Sequence, residues 1–318
     1  MKGILLVLGI LVVAWGYTNP VQGERDSPDP GVLYYGGAYY AVTTEGWDSH
    51  YFPIWKSTTG TNFTQVGWVF TAPPKWTVCC DYWAPELHII NGNFLVYFTA
   101  RSNNHMLAIG SATSSNILGP YVDRGSPLVT NASEGVIDAT VLKDGASNYI
   151  VYKVDGNAHG HQTELWAALL DPTGMSVIGQ PIYLMRNDQS WEHGIIEGQW
   201  FVNQNGKYYL FYSGCGYSND CYAVGVAMAD HPLGPYTKNS NNPILKTRNP
   251  KTSKSWEGPG HCSVVQSPEG RWLMFYHAWP PGAIGTIRLM LLDEVIFEGV
   301  WPRVNDGSPS ESAKPDPR

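Results

Sequence analysis

The sequence predicts an all-β fold, a five-bladed β-propeller, on three observations. A two-strand hairpin pattern occurs five times, with turn glycines at positions 37, 92, 145, 206 and 270. Those glycines lie 53 to 64 residues apart, a length that holds about four strands, which is one propeller blade. The composition agrees: 34 Gly, 23 Pro, 13 Trp and 19 Tyr in 318 residues, with 15% charged residues, suit many short strands and tight turns. No useful stretch shows apolar residues at helical spacing. A β-sandwich with coincidental hairpins is the alternative, and it gives no reason for the regular spacing.

Each repeat starts on an ionisable residue, runs through an apolar strand, turns, and returns through an aromatic strand. The five openings are Asp29-Pro30-Gly31-Val32-Leu33, Glu86-Leu87-His88-Ile89-Ile90, Asp138-Ala139-Thr140-Val141-Leu142, Glu197-Gly198-Gln199-Trp200-Phe201 and His261-Cys262-Ser263-Val264-Val265. The turns at Gly36-Gly37, Asn91-Gly92, Asp144-Gly145, Asn205-Gly206 and Glu269-Gly270 suit hairpins that need positive φ. A second repeat, Leu118-Gly119-Pro120-Tyr121 and Leu233-Gly234-Pro235-Tyr236, marks the outer edges of two blades.

Before the first repeat, Lys2 and the apolar run Ile4 to Trp15 read as the start of a signal peptide. Val21-Gln22-Gly23 offers small residues for cleavage, so residues 1–23 are expected to be removed and the protein to be secreted. The propeller is expected over 24–304, with a polar, Pro-rich, disordered tail over 305–318. Sequons at Asn62 and Asn131 fit a secreted glycoprotein. Of the five cysteines, Cys215 and Cys221 flank a Gly-containing turn and are placed to bridge. Cys79 and Cys80 are adjacent, able to join each other or to pair elsewhere, and Cys262 is left as the free thiol; connectivity does not follow from spacing. No Cys or His spacing has the pattern of a zinc site. A net charge of −7 argues against nucleic acid or an anionic membrane surface as partner.

The innermost strands of a propeller line its axis, so the first residues of the repeats converge on one mouth of the channel. Asp29, Glu86, Asp138, Glu197 and His261 would meet there. A lone Asp at a strand start is usually a cap or turn residue. An ionisable residue at every start points instead to a shared site. Like charges in one pocket push one carboxyl to a raised pKa, which a general acid requires. Glycoside hydrolysis uses such a pair of carboxyl groups.

Ser27-Pro28-Asp29-Pro30-Gly31-Val32, Trp83-Ala84-Pro85-Glu86, Gly135-Val136-Ile137-Asp138-Ala139-Thr140, Ile196-Glu197-Gly198 and Gly258-Pro259-Gly260-His261 resemble, in order, glycoside hydrolase family 43. The resemblance spans about Asp29 to Trp301. It implies an inverting hydrolase of arabinose- or xylose-rich plant polysaccharides such as arabinan and xylan. By position, Asp29 would be the general base, Glu197 the general acid, and Asp138 the residue that raises the pKa of Glu197. His261 resembles the axial histidine that in several members contacts substrate or helps hold a metal ion, often calcium, directly or through water. Arg288 stands where the family often places a substrate-contacting arginine. No cofactor is implied for the chemistry, and a monomer is expected. Two departures concern the subsites: Cys262 follows His261 where Asn is common, and Glu197-Gly198 is followed by Gln199 instead of Pro.

Trp83 is placed to stack on a sugar or to pack between blades; Trp47, Tyr82 and Trp191 are weaker candidates for stacking. Glu86 reads as a structural group bonded to a neighbouring blade. His159, His161 and His193 lie in polar loops and carry no assigned role. Within the resemblance, an α-L-arabinofuranosidase or arabinanase is the first expectation. A β-xylosidase or galactan hydrolase on the same fold is the second, and a non-catalytic sugar-binding propeller is the rival of another class. Fructan-hydrolase propellers are disfavoured because their Trp-Met-Asn-Asp-Pro-Asn motif is absent. Inversion predicts Asp29 and Glu197 carboxyls facing each other about 6.5–9.5 Å apart.

Overall fold

All five expected hairpins form. At Asn91-Gly92 and Asn205-Gly206 both turn residues have positive φ (49° and 78°, 52° and 75°), the conformation whose twist matches the flanking strands. Each hairpin supplies the first two strands of a blade. In this computed structural model, which describes residues 16–23, 25–44, 50–78, 80–249 and 251–317, five antiparallel sheets follow one another along the chain.

Blade 1 comprises Gly31–Tyr35, Ala38–Val42, Tyr51–Ser57 and Thr64–Phe70. Blade 2 comprises Trp83–Ile90, Asn93–Arg101 and Leu107–Ser114, with two short strands, Val122–Asp123 and Val129–Thr130, both paired to the third. Blade 3 comprises Val136–Asp144, Ser147–Val154, Glu164–Leu170 and Val177–Arg186. Blade 4 comprises Ile196–Gln204, Lys207–Gly214, Ala223–Ala229 and Thr237–Lys238. Blade 5 comprises Glu257–Gln266, Trp272–Trp279, Leu289–Ile296 and Arg303–Val304. The first strand of each blade contacts the first strand of the next, and blade 5 contacts blade 1, closing the ring. Among the described residues there is no α-helix, only two short 3-10 turns at Gly156–His159 and Ser190–Glu192. The two Leu-Gly-Pro-Tyr segments lead into the short outer strands of blades 2 and 4, as expected.

The core is divided among the five blade interfaces. Phe52, Phe70 and Phe98 pack between blades 1 and 2, Tyr97 and Tyr152 between 2 and 3, and Leu165 and Tyr212 between 3 and 4. Phe211, Met274 and Tyr276 fill the space between 4 and 5, and Tyr39, Phe275 and Met290 that between 5 and 1. Such a division follows from sheets that are apolar on both faces and stack around an axis.

Both termini depart from expectation. The leader assigned to residues 1–23 lies outside the described residues up to 15, but from Gly16 onward the chain is packed. Val21 is 3% exposed in the core between blades 5 and 1. Its N–H donates to the carbonyl of Met290, and Tyr17 Oη and Asn19 Nδ2 both donate to the carbonyl of Leu292. Burying a valine contributes roughly 1.5–3 kcal/mol, so residues 17–23 belong to the fold. The tail expected to be disordered is also ordered through residue 317. Lys314–Pro315 pairs with Gly16–Tyr17, Ser308 and Ser310 are buried, and Arg248 pairs with Asp306 and Glu311. Its polar composition concealed this because much of what anchors it is hydrogen bonds and ion pairs to distant residues. Deleting residues 305–318 should lower the Tm by several degrees in calorimetry; a disordered tail would leave it unchanged.

Candidate active site

One backbone feature shapes the mouth of every blade. Asp29, Ala84, Asp138, Gly198 and His261 have φ of 56°, 43°, 57°, 55° and 49°, a left-handed conformation uncommon outside glycine. In blades 2 to 5 the residue sits at a bulge in the first strand. The extra residue turns the chain so that the side chains near it face the axis. The repeat therefore has a different frame from the one expected. Asp29, Asp138 and His261 are equivalent, but blade 2 places Ala84, not Glu86, at that position. In blade 4 it is Gly198, with Glu197 one residue before. At Gly198 an added Cβ would come 3.0 Å from the His261 ring, so space favours glycine there, although the other four positions adopt the same conformation with a side chain.

One cavity of about 360 Å³ is lined by Asp29, Asp138, Glu197, His261, Trp83 and Arg288, which brings together the six residues singled out from sequence. It is also lined by Thr44, Lys153, Asp155, Tyr217 and Tyr222, for which sequence reasoning had no role. One cue was available: Lys153 is a lone charge at the end of the apolar run Tyr149 to Tyr152.

Three buried carboxyl groups sit in three different electrostatic settings. Burial by itself would raise Asp29, but the charges of Arg288 and His261 and a hydrogen bond from His277 outweigh it and hold the carboxyl well below its ordinary range. Arg288 Nη1 lies 3.3 Å from Asp29 Oδ1, and Thr44 Oγ1 donates to Asp29 Oδ2 at 2.5 Å. His277 Nδ1 lies 3.1 Å from the same Oδ1 and 3.2 Å from the Asp29 amide. Burial pushes the His277 imidazole down to about 4, so the ring is neutral and this one nitrogen serves only one of those two partners at a time. Glu197 is lowered: burial opposes ionisation, but Lys153 outweighs it with help from His261 and Tyr222. Asp138 is pushed up to about 6, by burial first and then by the charge of Glu197, against the pull of His261 and Lys153. Of the three, Asp138 is the one without a direct ion pair among the described contacts.

The rim combines charge with aromatic faces. The Arg288 guanidinium lies 4.8 Å from the Tyr217 ring centre and 5.9 Å from that of Trp279, within cation–π range. Tyr217 sits in the loop closed by the Cys215–Cys221 disulfide, the pairing named from sequence. Trp279 Nε1 donates to the carbonyl of Tyr217 and anchors the loop.

Other candidates lie elsewhere. Glu86 is buried against His88 Nε2 at 2.9 Å, away from the cavity lining. Burial raises Glu86 well above its ordinary value and lowers His88 to about 3, so the pair is neutral and structural. Tyr82 packs in the core against Tyr51, tilted, and Phe52, edge-on. Trp191 packs beside Gly214 and Gly225. His193 lies in another surface pocket, and His161 pairs with Glu134. Trp47 and Cys79 lie outside the described residues. Cys262 is buried and carries no disulfide. The departure at Gln199 has a local use: its amide donates to the carbonyls of Asp138 and Val151, tying blade 4 to blade 3.

For the calcium ion, the donor set is the test. Among the described residues no three His, Cys, Asp or Glu side chains converge as ligands. His261 directs Nδ1 towards Asp29 Oδ1 at 3.4 Å.

The unequal settings predict unequal titrations. Carboxyl carbon NMR should find Asp138 titrating near 6. Glu197→Gln should lower that midpoint, because removing a neighbouring negative charge favours ionisation. An unmoved midpoint would remove the charge of Glu197 as a cause of the shift.

Comparison with known proteins places this geometry. An extracellular exo-alpha-(1->5)-L-arabinofuranosidase of Streptomyces avermitilis is 26% identical over 82% of this chain, which spans 56% of that protein's length. An extracellular endo-alpha-(1->5)-L-arabinanase 1 of Bacillus subtilis is 24% identical, covering 91% of this chain and 89% of that one. A crystal structure of a thermostable family-43 glycoside hydrolase superposes with a TM-score of 0.85 at 31% identity, over 95% of this chain and 99% of that one. Residues 17–302 match the family glycosyl hydrolases family 43 as a whole. With that match running from the first packed strand to the outer edge of blade 5, the chain belongs to glycosyl hydrolases family 43.

Proposed function

We propose that the protein is a secreted, inverting glycosidase that cleaves α-L-arabinofuranosyl linkages in arabinan or arabinoxylan. The observation that carries the reading is a set of three carboxyl groups in one cavity with unequal surroundings. Arg288 stands beside Asp29, Lys153 and Tyr222 hold the Glu197 carboxyl in place, and the third carboxyl, Asp138, is pushed up beside them. In this reading Asp29 takes a proton from a water molecule whose oxygen attacks the anomeric carbon. The glycosidic C–O bond breaks with its electron pair on the leaving oxygen, which receives the proton of Glu197. Asp138 accepts the Gly198 N–H at 3.1 Å and holds the cluster's proton at rest; when that proton passes to Glu197, the Asp138 carboxylate is the negative neighbour that favours the protonated acid. Trp83 and Arg288, with the Tyr217 face, would contact the sugar.

The arabinose preference rests on the two relatives, whose names give α-(1->5)-L-arabinofuranosidase and arabinanase activities. Both are named extracellular, and among the described residues no helix is long and apolar enough to cross a membrane. We read the protein as a monomer acting on oligo- or polysaccharide.

Glu197→Gln should reduce kcat on unactivated arabino-oligosaccharides by about 10²–10⁴-fold while preserving the fold. Undiminished turnover would remove Glu197 as the acid. The anomeric proton signal of the first-formed product, followed by NMR, should show inversion; retention would remove Asp29 as base. Product chromatography on arabinan, arabinoxylan, xylan and galactan would decide the substrate, and activity confined to xylan or galactan would overturn the arabinose assignment.

A further inference from the structure

One station on the second strand of each blade, or in blade 1 just past its end, does the same structural task. The residue there lies beside the one preceding the left-handed position: Thr44 meets Pro28, Thr99 pairs with Trp83, Lys153 with Ile137, Ser213 with Glu197, and His277 with Gly260. Its side chain then faces the next blade's left-handed amide. The Ala84 N–H donates to Thr44 Oγ1 at 2.8 Å, that of Asp138 to Thr99 Oγ1 at 3.0 Å, and that of His261 to Ser213 Oγ at 2.7 Å. The Asp29 N–H meets His277 Nδ1 at 3.2 Å across the closure. Three of the five stations thus carry a hydroxyl acceptor that links neighbouring blades, and a fourth carries the neutral His277 ring, whose Nδ1 is shared between the Asp29 amide and carboxyl.

The third carries Lys153, 1% exposed at its side chain, which has no acceptor to offer. The amide it leaves uncapped, that of Gly198, donates instead to Asp138 Oδ2 at 3.1 Å. The Lys153 ammonium reaches Glu197 Oε2 at 2.8 Å and Asp155 Oδ1 at 3.0 Å. A hydroxyl serves the fold at three of the other stations, so the fold as such does not need a buried cation there. Its consequence is at Glu197.

We propose that Lys153 is a positioning residue for Glu197, fixing its carboxyl in the cavity and setting the pH range over which it gives up its proton. This rests on the reading of Glu197 as general acid. The groups that face Glu197 come from three blades. Lys153 contacts one oxygen, and Tyr222 of blade 4 donates to Oε1 at 2.9 Å. His261 of blade 5 and Asp138 of blade 3 act on it through their charges, and Asp29 with Arg288 lines the far side of the same cavity. The ammonium favours the carboxylate that remains after proton donation. It therefore makes Glu197 a stronger acid and confines its protonated form to lower pH.

The sign of the effect is testable. An acid works while protonated, so activity falls as pH rises through its pKa. Losing the cation should move that falling limb upward. Lys153→Thr installs the residue that blades 1 and 2 already use at this station, and a threonine there can cap Gly198 as Thr44 and Thr99 cap their neighbours. In Lys153→Thr and in Lys153→Met, the alkaline limb of kcat/KM should move up by about one to three pH units, with kcat lowered more than KM is raised. Lys153→Arg, which keeps the charge, should leave the limb near its original position. A limb unmoved in Lys153→Thr and Lys153→Met, with thermal unfolding showing both folded, would overturn the proposal. Glu197→Gln separates the two readings. If it is inactive while the Lys153 limbs stay put, only the role of Lys153 falls; if it is active, the assignment of Glu197 falls first.

Discussion

A backbone amide turned inward at the mouth of each blade is the constraint on which the rest of the site depends. The left-handed residue that aims a side chain at the axis also aims its own N–H into the protein, where an unpaired donor is costly. The group facing it comes from the neighbouring blade in every case: a hydroxyl at three, the Asp138 carboxyl at Gly198, and the shared Nδ1 of His277 at Asp29. The same few atoms therefore join the blades, keep the bulges in place and set the directions of Asp29, Asp138 and His261. Packing between blades supplies most of the apolar burial, but it is shared among five interfaces and does not by itself orient a carboxyl group.

Charge compensation is then laid over that frame. Asp29 has Arg288 and Glu197 has Lys153, whereas Asp138 has a backbone amide and no cation in direct contact. The proton of this cluster is accordingly best held on Asp138 in the resting protein, where burial and the charge of Glu197 act together. Three acidic side chains of similar intrinsic strength are thereby separated by their surroundings, which is the general way one site accommodates both an acid and a base.

The ends of the chain act on the same site from a distance. Residues 17–23 and 25–27 lie along the third strand of blade 5 and its start, bound through Met290, Leu292 and Arg288. Asp26 accepts the Arg288 N–H at 2.7 Å, so the strap that closes the ring also helps hold the backbone of the arginine facing Asp29. The final residues pair with the start of that strap. Closure of the propeller and placement of Arg288 are one structural event.

The fold was legible in the sequence because hairpin turns and strand alternation are local, and a five-fold repetition of local signals leaves few architectures. The residue types of the site were legible for the same reason, through Asp29, Asp138, Glu197 and His261 at successive strand starts. The frame of the repeat was not. Matching apolar runs set Glu86 beside Asp29, whereas the bulge that defines the true position falls at Ala84, and a bulge is decided by pairing with the second strand. The packed C-terminal tail was missed because its partners lie at the other end of the chain or in other loops. Lys153, Tyr222 and His277 escaped because each acts on a carboxyl 25 to 248 positions away. Local periodicity, being a property of neighbours in the chain, determined the blades and the chemical inventory; only the closed ring, which makes neighbours of distant residues, decided which charge serves which carboxyl.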